Sequence, residues 1–167
     1  DGVDLSHVAR LDVPTGAAFI AVDEAGANQI VVAAGANARA NASALPDMSL
    51  GENDLLLLQR EVPEDQCLPA VRAMKQAGGR VILNLAPAGA PSPELLACLD
   101  ILVVNEHEAL VLGEALGWPA LEPDDFARRI DAEINLACIV TLGADGVVGW
   151  HGGVRRRLEA PSVAVVD

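Results

Sequence analysis

Runs of aliphatic residues alternate with helical patterns over most of this chain. Four short runs have no polar interruption and predict buried strands: residues 55–58, 81–83, 101–104 and 138–140. Because these runs do not alternate between apolar and polar positions, each strand is expected to be covered on both faces. Helical patterns occupy the intervals, at 64–77, 93–99, 105–117 and 123–134. The succession predicts an α/β fold with a mostly parallel sheet, right-handed crossovers and helices on both faces.

The ends of the predicted helices carry recognisable signals. Gly78 and Gly79 are expected to end the first helix, while Ser92 and Pro93 are typical of the first positions of the second. Pro69 lies within the first helical pattern. It either begins a shorter helix or kinks a longer one.

A β-hairpin is predicted near the start of the chain. Two apolar runs, 17–22 and 29–34, flank the turn-rich segment 23–28. The hairpin is apolar on both faces, since Phe19 points to one side while Ile20 and Val22 point to the other. One face therefore needs a cover from the domain body, a ligand or another chain. We divide the chain into an α/β core, residues 1–13 and 35–167, and a lid-like hairpin, residues 14–34.

Charge and composition exclude some partners. The 167 residues carry a net charge of −13, and they contain two Trp, two Phe and no Tyr. Nucleic acids and anionic membranes are bound first through Lys and Arg, so neither is an expected partner. Cys67, Cys98 and Cys138 are few and widely spaced, as buried thiols in a reducing compartment would be. With no apolar run of membrane-spanning length, the expected location is the cytoplasm.

Polar residues follow each of the four predicted strands directly. They are Gln59-Arg60-Glu61, Asn84-Leu85-Ala86-Pro87, Asn105-Glu106-His107-Glu108 and Thr141-Leu142-Gly143. In open α/β sheets, ligands bind beyond the carboxyl ends of the strands. Together the four strand ends predict a polar ligand site at one edge of the sheet.

The individual strand ends leave alternatives open. Asn105 and Glu108 have the spacing of a capping box, which explains a helix start without any ligand. Thr141 and Gly143 suit either an anion site or a simple hairpin turn. Glu108 beside an anion suits a magnesium ion between them, and Glu61 either accepts hydrogen bonds from a hydroxylated ligand or lies in solvent. No phosphate-binding loop, dinucleotide fingerprint or nucleophile elbow occurs.

Six segments, in this order, resemble the ribokinase family of carbohydrate kinases. They are Pro14-Thr15-Gly16, Ala34-Gly35-Ala36-Asn37-Ala38, the run from Leu55 to Glu61, Asn84-Leu85-Ala86-Pro87-Ala88, Asn105-Glu106-His107-Glu108 and Thr141-Leu142-Gly143-Ala144-Asp145-Gly146. The resemblance covers essentially the whole chain. It implies a ribokinase-like fold with a lid, and magnesium-dependent transfer of a phosphoryl group from ATP to a sugar hydroxyl.

Residue roles also follow from the resemblance alone. It implies that three residues bind the sugar: Glu61 at the strand end, and Ala18 and Ile20 on the lid over it. Nucleotide binding is implied for four residues: Asn105, Thr141, Gly143 and Gly146. Glu108 would hold magnesium through water, and Asp167 matches a position that helps to bind a monovalent cation such as potassium. In such kinases the lid often forms the contact of a homodimer.

Three motifs of the family would lie outside these residues. The sugar-binding Asn-x-x-Asp and Gly-Gly motifs would precede Asp1, and the Thr-x-x-Gly-Asp motif with the general-base aspartate would follow Asp167. We therefore expect the chain to be the middle of a kinase, without activity of its own and prone to association. Ribose is the leading substrate, with fructose, 2-keto-3-deoxygluconate and nucleosides open. The alternative is a non-catalytic module that binds a nucleotide or a protein. An oxidoreductase is disfavoured, because the sequence lacks the glycine-rich strand-to-helix turn that such enzymes use to bind a dinucleotide.

Overall fold

A computed structural model of the chain describes residues 2, 5, 8–23, 28–40 and 49–163. These residues form a two-stranded antiparallel sheet, a six-stranded sheet and four α-helices. The elements in chain order are β1 (Ala17–Val22), β2 (Asn28–Ala33), β3 (Leu55–Leu58), α1 (Glu64–Gln76), β4 (Arg80–Asn84), α2 (Pro93–Cys98), β5 (Ile101–Asn105), α3 (Glu106–Ala115), α4 (Pro123–Ile134), β6 (Ala137–Thr141), β7 (Val147–His151) and β8 (Val154–Leu158). The predicted α/β fold, with a mostly parallel sheet and a hairpin, is confirmed.

The larger sheet has the order β3-β4-β5-β6-β7-β8, which is also the chain order. Strands β3 to β6 are parallel, whereas β7 and β8 return as antiparallel neighbours. Right-handed crossovers that always advance in the same direction put every connecting helix on the same side of a sheet. Buried residues of all four helices accordingly share one core with one face of the strands. Among the described residues, helices cover one face of the sheet, not both as predicted.

The burial of the strands follows from this one-sided cover. Leu102 and Val104 in β5 are buried against the helices, while Ile101 and Val103 on the other face are half-buried. The prediction that this strand is covered on both faces is therefore wrong for the described residues. It is also wrong for β3, an edge strand in which Leu55 and Leu57 are 47% and 66% exposed.

The helix ends agree with their sequence signals. The Ser92 side chain accepts a hydrogen bond from the backbone N–H of Leu95, and Pro93 is the first residue of α2. Helix α1 continues through Pro69 to Gln76, so the proline does not begin a shorter helix. Gly78, at φ +79°, then donates its N–H to the carbonyl of Lys75.

A tight backbone contact closes the base of the hairpin, between the segments that flank its two strands. A Cβ atom on Gly35, which has φ +52°, would lie 2.5 Å from the carbonyl oxygen of Pro14, and one on Gly16 would lie 2.8 Å from that of Ala34. Ala36 donates its N–H to Pro14 at 2.9 Å. Only glycine fits at such approaches. Six large apolar side chains of the hairpin are 52–69% exposed: Phe19, Ile20, Val22, Ile30, Val31 and Val32.

Two aspartates tie α4 to the β7–β8 hairpin. Asp124 accepts hydrogen bonds from Trp150 Nε1 and Arg155 Nε, both at 2.7 Å, and these bonds, led by that from Trp150, lower the pKa of its carboxyl group. Asp131, only 8% exposed, accepts from the backbone N–H groups of Gly152 and Gly153. The arginines at 155–157 lie in exposed strand β8.

The three cysteines are free thiols, of which Cys67 and Cys138 are buried. The expectation of burial is wrong for Cys98, which is only half-buried. It is the last residue of α2. Burial raises the pKa of the Cys138 thiol to about 12 and also raises that of Cys67. Both thiols are thus poor nucleophiles. None of the described helices has the length and apolar character needed to cross a membrane.

Candidate functional site

The polar residues that follow the parallel strands meet at one edge of the sheet. Asn105 and Thr141 are register partners on neighbouring strands, and the Thr141 hydroxyl donates to the carbonyl of Val104 at 3.3 Å. Asn84 ends β4 on the other side of β5. Strands β3 and β6 are three strand spacings apart, roughly 14 Å. The edge is long enough to contact two ligands side by side.

Asn105 and Glu108 form a complete capping box at the start of α3. The Glu108 N–H donates to Asn105 Oδ1, and the Asn105 N–H donates to Glu108 Oε2, both at 2.8 Å. The prediction of a capped helix start is confirmed. Each side chain uses one polar atom in the cap, which leaves the Asn105 amide nitrogen and Glu108 Oε1 without a hydrogen-bond partner among the described residues.

A magnesium ion fits the chemistry of this helix start, though only in part. Glu108 is 7% exposed, and its second oxygen is a hard ligand of the type that Mg²⁺ prefers. No cluster of three acidic, histidine or cysteine residues that could hold a metal is found within the described part of the chain. Mg²⁺ commonly binds through one or two carboxylates, water and substrate phosphates. Glu108 therefore suits an ion held mainly by a phosphorylated ligand and water.

The segment after β6 is a turn with an open outer side. A short 3-10 helix, Gly143–Asp145, leads into antiparallel β7, so the hairpin interpretation of this segment holds. Gly143 has φ +55°, and a Cβ atom there would meet nothing within 4 Å. Gly146, by contrast, lies so near β8 that a Cβ atom would be 2.0 Å from the carbonyl oxygen of Leu158. Gly143 is accessible to a ligand, whereas Gly146 is required by backbone packing.

Glu61 borders a cavity of about 330 Å³ at the other end of the edge. The walls come from the 3-10 helix after the hairpin, the end of β3, the start of α1, β4 and α2; they are Ala34, Ala38, Leu58, Gln59, Arg60, Glu61, Val62, Pro63, Glu64, Cys67, Leu83 and Leu95. The Glu61 N–H donates to Gln59 Oε1, and its carboxylate makes no hydrogen bond with the described residues. An exposed acceptor beside a concave, mostly apolar wall suits a small hydroxylated ligand.

Three predicted site residues are not among the groups at this edge that the structure describes. Ala18 and Ile20 are exposed on β1, opposite Val32 and Ile30, and do not line this cavity. Asp167 lies outside the described residues. The structure thus brings Asn105, Glu108 and Thr141 together, and it places Glu61 further along the same edge.

The sequence reasoning missed most of the cavity wall. Cys67 and Leu95 come from two helices packed side by side, and their approach has no local sequence signal. Glu64 could have been recognised from the sequence, because acidic residues are favoured in the first turn of a helix and Glu64 begins α1. Its carboxylate accepts from the backbone N–H of Ser92 at 3.2 Å and so joins α1 to the start of α2.

Comparison with known proteins gives one consistent family. The sequence model described as "pfkB family carbohydrate kinase" matches residues 1–167. The ribokinase of Haemophilus influenzae is 31% identical over 176 residues, covering 100% of this chain and 56% of the relative. The ribokinase of Arabidopsis thaliana is 37% identical, covering 99% of this chain and 46% of the relative. The chain thus spans about half the length of these relatives.

Solved structures agree with the sequence comparison. The ribokinase of Thermotoga maritima superposes with a TM-score of 0.80 at 34% identity, over 95% of this chain and 52% of that one. Arabidopsis thaliana ribokinase complexed with ribose and ATP gives a TM-score of 0.76 at 28% identity, over 93% and 52% of the two chains. The described fold is therefore that of roughly half of each of these enzymes.

Proposed function

The chain belongs to the pfkB family of carbohydrate kinases, and we propose that the whole protein carrying it is an ATP-dependent ribokinase. It would convert ribose and ATP to ribose 5-phosphate and ADP. The observation that carries this proposal is the shared sheet edge, where Glu61 borders a cavity next to β3, Asn105 and Glu108 lie two strands away, and Thr141 lies three strands away. That spacing suits a sugar at one end and the phosphates of a nucleotide at the other.

In this proposal each group has a separate task. Glu61 accepts hydrogen bonds from sugar hydroxyls, while the Asn105 amide, Thr141 and Gly143 contact the nucleotide. Gly146, whose N–H and carbonyl are hydrogen-bonded within the turn, contributes to nucleotide binding by holding Gly143 in place. Glu108 holds magnesium through water. When bound, magnesium would neutralise charge on the transferring phosphoryl group. A monovalent cation such as potassium would bind near Asp167. The free cysteines suit a cytoplasmic enzyme.

We further propose that the 167 residues alone do not transfer phosphate. Phosphoryl transfer depends on positioning and on charge stabilisation, and a sugar hydroxyl also needs a base to accept its proton. The Thr-x-x-Gly-Asp motif to which the resemblance assigns that base does not occur among these residues. The 167-residue chain is therefore expected to bind ligands weakly and to show no turnover.

A coupled assay of ADP release tests both statements. The whole protein and the purified 167-residue chain, each checked by intact mass, are given ATP and magnesium with ribose, fructose, 2-keto-3-deoxygluconate or nucleosides. We expect turnover with ribose only, and only in the whole protein. Nucleotide binding by the whole protein without turnover of any sugar would instead favour the non-catalytic module. Turnover by the short chain would refute its proposed inactivity.

The hairpin is proposed as both lid and homodimer contact. Phe19 and Val31 are register partners on one face, and Ile20 and Ile30 are partners on the other. The face that carries Ala18 and Ile20 would cover the sugar, and the opposite face, which carries Phe19, would pack on a second copy of the chain. Since burying each large side chain is worth about 1.5–3 kcal/mol, Phe19→Ser should weaken dimerisation at least about tenfold. Sedimentation of the whole protein measures this.

Val163→Ser is the matched control, because Val163 is 69% exposed, as is Phe19, but lies outside the hairpin. An unchanged association constant for Phe19→Ser would place the dimer contact elsewhere.

A further inference from the structure

Arg60 joins the carboxyl ends of β3 and β4. Its backbone N–H donates to the carbonyl of Ala86 at 2.8 Å, and its Nη1 donates to the carbonyl of Pro87 at 3.0 Å. One residue thus holds two consecutive carbonyl groups of the segment that follows β4. Two attachments of this kind fix both the distance and the orientation of that segment relative to the end of β3.

Gly89 completes the contact from the other side. A Cβ atom on Gly89 would lie 1.9 Å from Arg60 Nη1 and 2.7 Å from Cζ. The guanidinium group therefore occupies the space that any other residue at position 89 would need for its side chain. We call the set of Arg60, Ala86, Pro87 and Gly89 the Arg60 clasp.

The Arg60 charge has no ion-pair partner within the part of the chain that the structure describes. Arg60 is nevertheless half-buried at the cavity wall. Partial burial removes water from the guanidinium group, and without a carboxylate partner this costs free energy. A hydrogen bond from a charged donor to a carbonyl repays part of that cost and is stronger than a neutral one. Arg60 therefore binds the segment 86–89, and it forms no ion pair with an acidic residue of the described surface.

Glu61 is the next residue, and its position depends on this clasp. Its carboxylate makes no hydrogen bond with the described residues, so no side-chain contact fixes it. Only its backbone is held: its N–H donates to Gln59 Oε1, and the preceding residue, Arg60, donates its N–H to Ala86. A shift of the Arg60 backbone would move the Glu61 carboxylate relative to the cavity.

We propose that Arg60 is a positioning residue for the sugar: the Arg60 clasp holds Glu61 at the mouth of the cavity. The inference rests on the proposed function, because it takes Glu61 to contact the sugar. The proposal predicts different effects on sugar binding and on nucleotide binding. Loss of the clasp acts on sugar binding, whereas the nucleotide end of the edge, at Asn105 and Thr141, is built on other strands.

Kinetics of the whole protein test the proposal. Arg60→Gln removes the charged donor, and the KM for ribose should rise about tenfold, as for the loss of one charged hydrogen bond. The KM for ATP should stay unchanged. Arg60→Lys should recover part of the ribose KM, since an ammonium group can still donate to Pro87. Arg129→Gln is the control, because Arg129 is also a half-buried arginine but lies on α4 over Trp118.

Gly89→Ala provides an independent route to the same effect. The added Cβ atom displaces the guanidinium group, so the ribose KM should rise as in Arg60→Gln. If both residues act through one clasp, the double variant should be no worse than Arg60→Gln alone. Additive effects would show that the two residues act separately and would overturn the proposal. A lower melting temperature of Arg60→Gln with an unchanged ribose KM would also overturn the proposal, because Arg60 would then only stabilise the fold.

Failure of the proposed function gives a different pattern. If the unchanged whole protein phosphorylates no sugar, the positioning role fails together with the proposed function. Hydrogen exchange of that protein then decides whether the clasp exists. Amides of residues 60, 61, 85, 86 and 88–90 should exchange faster in Arg60→Gln than in Arg129→Gln, and equal exchange would refute the clasp itself.

Discussion

Glu108→Gln in the whole protein is expected to lower the rate of phosphoryl transfer about 10²–10³-fold, the usual cost of losing one electrostatic contact at the transition state. Stability should fall by less than about 1 kcal/mol, because glutamine is also a normal partner in a capping box. Its side-chain oxygen can still accept the Asn105 N–H that Glu108 Oε2 accepts now. The substitution therefore removes the charge and keeps the cap.

Two companion variants separate the capping role of Glu108 from its proposed magnesium role. Glu108→Ala removes both and should also cost about 0.5–2 kcal/mol of stability, as the loss of a cap does. Glu106→Gln is the matched control, since Glu106 is an exposed acid in the same first turn and takes no part in the cap.

Magnesium titrations give the decisive measurement for Glu108. The magnesium concentration for half-maximal rate should rise in Glu108→Gln and stay the same in Glu106→Gln. A Glu108→Gln protein with the rate and magnesium dependence of the unchanged protein would leave Glu108 with the capping role alone.

The capping box could be predicted because all of its information is local. Asn105 and Glu108 are three residues apart, and the geometry of a helix start brings such side chains together whatever surrounds them. The same holds for Ser92 before α2 and for the glycines after α1. These features needed only the spacing of a few residues.

The exposure of the strands could not be predicted in this way. A run such as Leu55 to Leu58 indicates a strand, but its burial depends on which strands and helices lie beside it. Leu57 is exposed because β3 is at the edge and the described helices cover only the other face. The wall of the cavity near Glu61 is unpredictable for the same reason, since Cys67 and Leu95 meet only after α1 and α2 pack together.

Asp131 is the second residue whose replacement should have a large effect, here on stability. It is buried on α4 and accepts hydrogen bonds from the N–H groups of Gly152 at 2.8 Å and Gly153 at 2.7 Å. Both glycines have positive φ, at +58° and +76°, as the two-residue turn of a type I′ hairpin requires. A carboxylate satisfies two donors at once, and no neutral side chain of the same size does so.

Asp131→Asn should therefore lower the free energy of unfolding by about 1–3 kcal/mol, because its amide nitrogen would face a backbone N–H donor of the turn and could not accept a hydrogen bond from it. Urea unfolding of the whole protein at constant m-value measures the loss. Glu133→Gln is the control on the same helix: it breaks the exposed ion pair with Arg129 and should cost no more than about 0.5 kcal/mol.

The kinetic effect of Asp131→Asn should be small, which distinguishes it from Glu108→Gln. The Gly152–Gly153 turn follows β7, which is antiparallel to β6, so it lies at the opposite edge of the sheet from Thr141. The KM values for ribose and ATP should therefore be unchanged below the unfolding transition. If Asp131→Asn were no less stable than Glu133→Gln, the hairpin would not depend on the buried carboxylate, and contacts such as Asp124 with Trp150 and Arg155 would be sufficient to hold β7 and β8 on α4.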